Sequence, residues 1–347
     1  MTASHARLRF RQLAAVAAVA CVVTPVFNVL TSAPTLAEAI QGVVDAVLIS
    51  LLVGGYLIFV RDGWLRERFR RLGFVVYLAL SSAIALALFL VGRALGQVVT
   101  TLDPSRFVKS FGDRHLVYAL PFFAVVAVAV IVILQMNRMI GTNVLRYFIA
   151  GVYHRPQLEE RVFLFLDLVG STQLAERLGS ARYFELLRVF VDDLTAPILE
   201  AGGEIYQYAG DEVVMTWSLT DGVRSANCIR CFFAIRDTIA REAARYRREF
   251  GVIPGFRGGL HAGTVTAGEL GDLRQQIVFV GDILNTAARL QEYAKRMDLE
   301  LVVSGALLER LVLPPGVEAK PCGELDLRGK DERVTAYGLT AAPAPRV

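Results

Sequence analysis

Val162-Phe-Leu-Phe-Leu-Asp-Leu-Val-Gly-Ser-Thr172 decides how the second half of this chain is read. The residues Val162 to Leu166 are all apolar strand formers, with no polar break, which fits a strand buried on both faces. The run ends on a carboxylate, Asp167, and the turn Leu168-Val-Gly-Ser-Thr172 leads into a helical pattern. A helix starting there directs unpaired N–H groups into the turn, and such groups suit phosphate oxygens. Gly170, Ser171 and Thr172 are therefore candidate phosphate contacts.

A second carboxylate, Asp211, lies in Tyr208-Ala-Gly-Asp-Glu212, between runs 204–208 and 213–217 that read as a hairpin. Hard cations such as Mg²⁺ and Mn²⁺ take oxygen ligands, and Mg²⁺ binds through one or two carboxylates plus substrate phosphates. A strand-end aspartate beside a hairpin-tip aspartate can hold two such ions, one activating a hydroxyl and one neutralising pyrophosphate. Each feature alone has an ordinary structural use, as a helix cap or a turn. In Gly281-Asp-Ile-Leu-Asn-Thr-Ala-Ala-Arg289, Asn285 and Arg289 are four apart and share a helix face. Such an amide can orient a ribose, and the guanidinium can neutralise charge developing on a phosphate.

Outward from these motifs, residues 173–178 and 183–199 read as helices, followed by the hairpin and one long helix over 223–250. Strands are expected at 256–262, 265–267 and 276–280, a helix at 283–295, a strand at 299–303, and a closing hairpin of 324–327 with 334–339. This describes an α+β domain over residues 159–341.

The first half differs in kind. The chain has 347 residues and is 54% hydrophobic, an excess over ordinary soluble proteins. It concentrates in four apolar runs, 13–30, 39–60, 74–91 and 116–134, that approach the roughly 20 residues a membrane helix needs. Residues 1–136 are therefore expected to form a four-helix transmembrane domain within a lipid membrane. Arg7, Arg9 and Arg11, and then Arg61, Arg66, Arg68, Arg70 and Arg71, place the N-terminus and the loop after the second span in the cytoplasm. An even number of spans returns the chain to the same side, and residues 97–115 form the external loop. Asp45 is a charge at membrane depth and hence a functional candidate. The net charge of +4 follows from these basic edges, so no nucleic-acid partner is inferred.

Residues 137–158 connect the halves. Val144, Phe148 and Val152 recur at helical spacing, as in a short amphipathic helix ending before Pro156. Among the four cysteines, Cys228 and Cys231 share a helix face and are read as core packing rather than as a redox or metal pair.

The motifs Phe165-x-Asp-x-x-Gly-Ser-Thr172, Gly210-Asp211, Gly259-Leu-His-Ala-Gly-Thr-Val-Thr-Ala-Gly268 and Val280-Gly-Asp-x-x-Asn-x-x-Ala-Arg289 together resemble the class III nucleotidyl cyclase catalytic domain. The resemblance implies a ferredoxin-like fold and a homodimer with composite sites. Asp167, Asp211 and the Leu168 backbone would hold two Mg²⁺ or Mn²⁺ ions, and Asn285 with Arg289 would come from the other subunit. Leu327-Arg-Gly-Lys330 is similar to the family's phosphate-contacting segment, so Arg328 or Lys330 would meet the terminal phosphates. At the base-selecting positions this chain has Gln207 and Val278, where family adenylate cyclases usually have lysine and an aspartate or threonine, and guanylate cyclases glutamate and cysteine. ATP is the expected substrate by family frequency. A guanylate cyclase and a non-catalytic membrane sensor are the alternatives. A diguanylate cyclase fits less well, because Ala209-Gly-Asp-Glu-Val213 lacks that family's first glycine and its phenylalanine.

Overall fold

A helix that is apolar all round has no face to offer water, and the N-terminal half consists of such helices. The computed structural model describes residues 10, 13–14, 16–23, 36–64, 69, 72–112, 116–140, 147, 150–272, 275–325 and 333–341. The chain divides into two compact units, Met1–Gly141 and Thr142–Val347.

In the first unit, α1 (Leu36–Ile49) continues in π-type turns over Ser50–Gly54 and Tyr56–Trp64, followed by α2 (Phe74–Thr101) and α3 (Leu116–Ile140). Among the described residues three helical stretches are long and apolar enough to cross a membrane: Ile40–Val60, Phe74–Thr101 and Leu116–Met136. The expected first span, 13–30, lies partly outside the described residues. The expected external loop from residue 97 is shorter than read, because α2 runs on to Thr101 and ends in a left-handed Leu102. Its last turns pack rather than fray. A Cβ on Gly96 would collide with the buried Asp45 carboxylate, Gln41 donates to that carboxylate at 2.9 Å, and Thr100 bonds Gln41. Asp45 is thus held by polar partners at a close helix crossing that the small Gly92 and Gly96 permit.

In the second unit the run at Val162 becomes β1 (Gln157–Leu168). It is followed by α4 (Ser171–Leu178), α5 (Ser180–Glu200), β2 (Glu204–Ala209) and β3 (Glu212–Ser218). Then come α6 (Leu219–Val223), α7 (Asn227–Arg241), α8 (Ala243–Phe250), β4 (Phe256–Leu270), β5 (Gln276–Val280) and α9 (Asp282–Arg296). The unit closes with β6 (Leu301–Ser304), α10 (Gly305–Leu308), β7 (Val317–Leu325) and β8 (Val334–Ala341). The sheet order is β2-β3-β1-β4-β6-β8-β7, with β5 pairing β4. Among the described strands, β4 and β6 are the one parallel pair. The stretch β2-β3-β1-β4 is the ferredoxin-like βαββαβ order, extended on the β4 side.

Period-two alternation along β1 serves two cores. Val162, Leu164, Leu166 and Leu168 face a core with Leu186 and Phe190 of α5 and Ile229 and Phe232 of α7. Phe163 and Phe165 face a second core with Phe279 of β5 and Ile283 and Ala287 of α9. Cys228 and Cys231 lie in the first core, where burial pushes both thiols well above their usual range, as packing residues should be.

Three expected elements differ from the structure. The long helix expected over 223–250 starts only at Asn227, because Ser225 and Ala226 adopt left-handed backbone where Ala226 is buried, and it is interrupted again at Glu242, between α7 and α8. The strands expected at 256–262 and 265–267 are one 15-residue strand, since β1 pairs with β4 without interruption from Gln157↔Ala267 to Leu168↔Phe256. The closing hairpin begins earlier, at Val317, on an edge strand that tolerates Pro321 beside a bulge. Of the connecting segment, the expected amphipathic helix falls mostly outside the described residues. Tyr147 and Tyr153 are described and join the second core.

α9 packs across β4 at Gly259. A Cβ there would stand 2.8 Å from the Gln291 Cα and nearer still to the Ala287 carbonyl and Gln291 nitrogen. Gly259→Ala should therefore push α9 off the sheet and destabilise the unit by about 3 kcal/mol or more, the upper range for overpacking against unyielding backbone. Chemical unfolding followed by intrinsic fluorescence measures this; an unchanged midpoint would mean that α9 shifts freely.

Candidate active site

Asp167 is the residue at which the apolar alternation of β1 turns polar, and it lies on the face that α9 covers. The pairing Leu166↔Val213 carries the β2–β3 turn to the end of β1, so Asp211 arrives beside Asp167. Gly210, with φ 67°, makes that turn tight, in a left-handed conformation that glycine adopts freely. The structure thus brings together the two aspartates expected to act together.

The electrostatics of Asp167 reflect this crowding. Burial pushes Asp167 above the usual carboxylate range, the Lys295 ammonium pulls it down, and the neighbouring Asp211 raises it again. Among the described residues, none donates to the buried Asp211 Oδ2. A buried carboxylate oxygen without a donor, beside a second carboxylate, is a poor arrangement for the protein alone and a good one for a hard divalent ion. Glu212 adds a third acid, pushed up by burial and then by Asp167 and Asp211. Among the described residues no group of three or more His, Cys, Asp or Glu gathers round a common metal position. The aspartate pair therefore fits Mg²⁺ or Mn²⁺ with phosphate oxygens completing the shell. Leu168, expected to offer its backbone, is buried and pairs with Phe256 in the β1–β4 ladder.

The turn after Asp167 takes the expected form. Gly170 (φ 67°) precedes α4, whose N-terminus carries no side-chain cap, so its first N–H groups remain for an oxygen ligand. Ser171 and Thr172 open this helix at the Asp167 end of β1.

Three residues at the site were not anticipated. Lys295 Nζ stands 2.6 Å from Asp167 Oδ2, and Gln291 Nε2 donates to the same oxygen at 3.4 Å. Both lie on α9, four apart, a spacing visible in the sequence once Asp167 is known to face that helix. Tyr183, at the start of α5, reaches Ser171; burial and then Asp211 push its hydroxyl upward.

Asn285 and Arg289 do not turn toward this Asp167. Each is six residues before one of the pair that does, and six residues of α-helix rotate a side chain to a face about 120° away. Asn285 is exposed and Arg289 half-buried. Gln207 lies exposed on β2 and Val278 half-buried on β5, strands linked by Tyr206 and Phe279, whose rings are 5.2 Å apart. Arg328 and Lys330 lie outside the described residues.

The sheet order is that of an extended ferredoxin-like domain, and residues 154–341 match the family model of the adenylate and guanylate cyclase catalytic domain. The chain belongs to that family. Adenylate cyclase 2 of Rhizobium meliloti (strain 1021) is 38% identical over 212 residues, covering 61% of this chain and 58% of that protein. An adenylate cyclase of Anabaena cylindrica is 25% identical over 190 residues, covering 51% and 36%. The chain thus spans less than two thirds of these relatives' length. A solved bacterial light-regulated adenylyl cyclase superposes with a TM-score of 0.56 over 67% of each chain, at 19% identity, and shares the fold.

The sign of the carboxylate repulsion is testable. Asp167 is raised in the folded state, so its ionisation opposes folding above that raised value, and protonation relieves it as pH falls. Asp211→Asn should raise the melting temperature of chelator-treated protein at neutral pH, and the gain should shrink under mildly acidic conditions. Thermal unfolding at several pH values decides; a lower melting temperature at neutral pH would contradict the repulsion.

Proposed function

We propose that this chain is a membrane-anchored adenylate cyclase that converts ATP to 3′,5′-cyclic AMP and pyrophosphate at two composite sites of a homodimer. The observation that carries the reading is the Asp167–Asp211 pair, with a buried oxygen of Asp211 to which none of the described residues donates. The division of α9 into two faces supports the composite site. Gln291 and Lys295 attend the chain's own Asp167, while Asn285 and Arg289 lie on another face of the helix, as a site completed by a second subunit would require.

Two divalent ions, when bound, supply Lewis acidity that lowers the pKa of the ribose 3′-hydroxyl and neutralises the pyrophosphate. Asp167 and Asp211 hold that charge at the end of β1. The N–H groups of Gly170, Ser171 and Thr172 meet phosphate oxygens at the start of α4. From the partner subunit the equivalent asparagine orients the ribose, and the arginine balances charge on the α-phosphate as the 3′-oxygen attacks in line. The 3′-O–Pα bond forms, the bond from Pα to the bridging oxygen of pyrophosphate breaks, and the hydroxyl proton leaves to water. Arg328 or Lys330 takes the terminal phosphates. Gln207 offers both a donor and an acceptor to the base, while Val278 can only pack against it. The three apolar helices anchor the enzyme, with the catalytic unit in the cytoplasm at the inner membrane.

Full-length protein in detergent, given ATP or GTP with Mn²⁺, should yield cAMP by mass spectrometry; cGMP would move the substrate to GTP, and neither product would favour the non-catalytic reading. Asp167→Ala and Arg289→Ala should each lower turnover by about 10²-fold or more, the scale of losing one preorganised transition-state group. Co-expressing the two variants should restore activity, because a mixed dimer keeps one intact site. Absence of rescue would sink the composite arrangement.

A further inference from the structure

Lys295 is a four-carbon ammonium on the last turn of α9, and its nitrogen lies 2.6 Å from Asp167 Oδ2. That is charge-assisted length. The pair is not an ordinary surface contact, since the Asp167 side chain is only 13% exposed while Lys295 is 45% exposed. The ammonium enters from solvent and touches a carboxylate that is nearly enclosed. Around it stand Asp167, Asp211 and Glu212, all acidic. Among the described residues, Lys295 is the cation bonded to Asp167, on the oxygen that also accepts from Gln291.

We infer that Lys295 sets the affinity of the Asp167–Asp211 pair for divalent cations, by holding in the metal-free protein a carboxylate oxygen that a metal ion must take over. This rests on the cyclase reading and deepens it. Two effects act in the same direction. The ammonium satisfies Asp167, so a metal ion gains less by replacing it than by meeting a bare carboxylate. Its positive charge also repels an arriving divalent ion until the side chain swings away, which its flexible stem and solvent-facing approach allow. Gln291, whose amide is neutral and buried, keeps Asp167 in place through the exchange. Lys295 thus raises the divalent concentration at which the site fills and protects a like-charge pair from standing uncompensated when it is empty.

The test is Mn²⁺ binding to the full-length, detergent-solubilised protein without nucleotide, read from the free-Mn²⁺ electron paramagnetic resonance signal. Lys295→Met keeps length and removes charge; Lys295→Arg keeps charge. The methionine variant should bind Mn²⁺ about tenfold more tightly, the scale on which partners of ligating carboxylates alter metal affinity. The arginine variant should stay near the wild type, and Asp167→Asn should abolish the binding. If Lys295→Met leaves the affinity unchanged or weakens it while Asp167→Asn still abolishes it, the proposal for Lys295 is overturned and the metal site stands. If Asp167→Asn does not alter Mn²⁺ binding, the metal assignment itself falls, and this inference with it.

Discussion

α9 can lie on the sheet only because β4 presents Gly259 beneath it, with the helix backbone where any other residue would place a Cβ. Everything specific to the site depends on that approach. The helix buries Ile283 and Ala287 in the second core, and so fixes its rotation about its own axis. Once the rotation is set, Gln291 and Lys295 meet Asp167 and the Asn285–Arg289 pair is turned away. One glycine contact thus assigns two sets of side chains on one helix to two different places.

The acidic pair needs the opposite kind of support. Two carboxylates brought together in a half-buried position repel, and only a frame held elsewhere keeps them so. β1 supplies that frame, hydrogen-bonded to β3 on one side and β4 on the other and buried on both faces up to Leu166. The carboxylates come where the core ends, near enough to apolar surroundings to be partly dehydrated and open enough to be reached. A cation placed there gains from the low local dielectric that makes the metal-free pair uncomfortable.

The residues proposed to carry chemistry were legible because their types are unusual where they occur. An aspartate closing an unbroken apolar strand, a second one at a glycine turn, and an asparagine and arginine four apart after Gly281 can be seen without coordinates. What local pattern could not show was contact between distant elements. Lys295 and Gln291 look like ordinary polar positions of an amphipathic helix, and only the crossing over Gly259 aims them at Asp167. The helix break at Ser225 and Ala226 carries no glycine or proline; tertiary burial of Ala226 overrides helical preference there. Gly263 and Thr264 suggested a gap between two strands, whereas Glu160↔Thr264 and Arg161↔Gly263 pairing bridges it. Pro321 hid the start of β7, which tolerates it only as an edge strand.

The polypeptide just ahead of β1 is built into the face that bears the site. Tyr153 is buried and donates to Glu159, which accepts from Arg161; Tyr147 donates to Glu204, which Arg161 also meets. The Arg161 guanidinium is itself buried, donates to Thr216, and sits 4.6 Å from the Phe279 ring centre. Glu204 lies on β2 and Phe279 on β5, the strands of Gln207 and Val278. A buried guanidinium left without one acceptor loses on the order of several kcal/mol, because removing one partner exposes the other's desolvation. Tyr147 and Tyr153 are therefore tied into this network. Displacing either tyrosine must carry Glu159 or Glu204 with it or break a buried ionic network, and either course bears on β2 and β5, the strands of Gln207 and Val278.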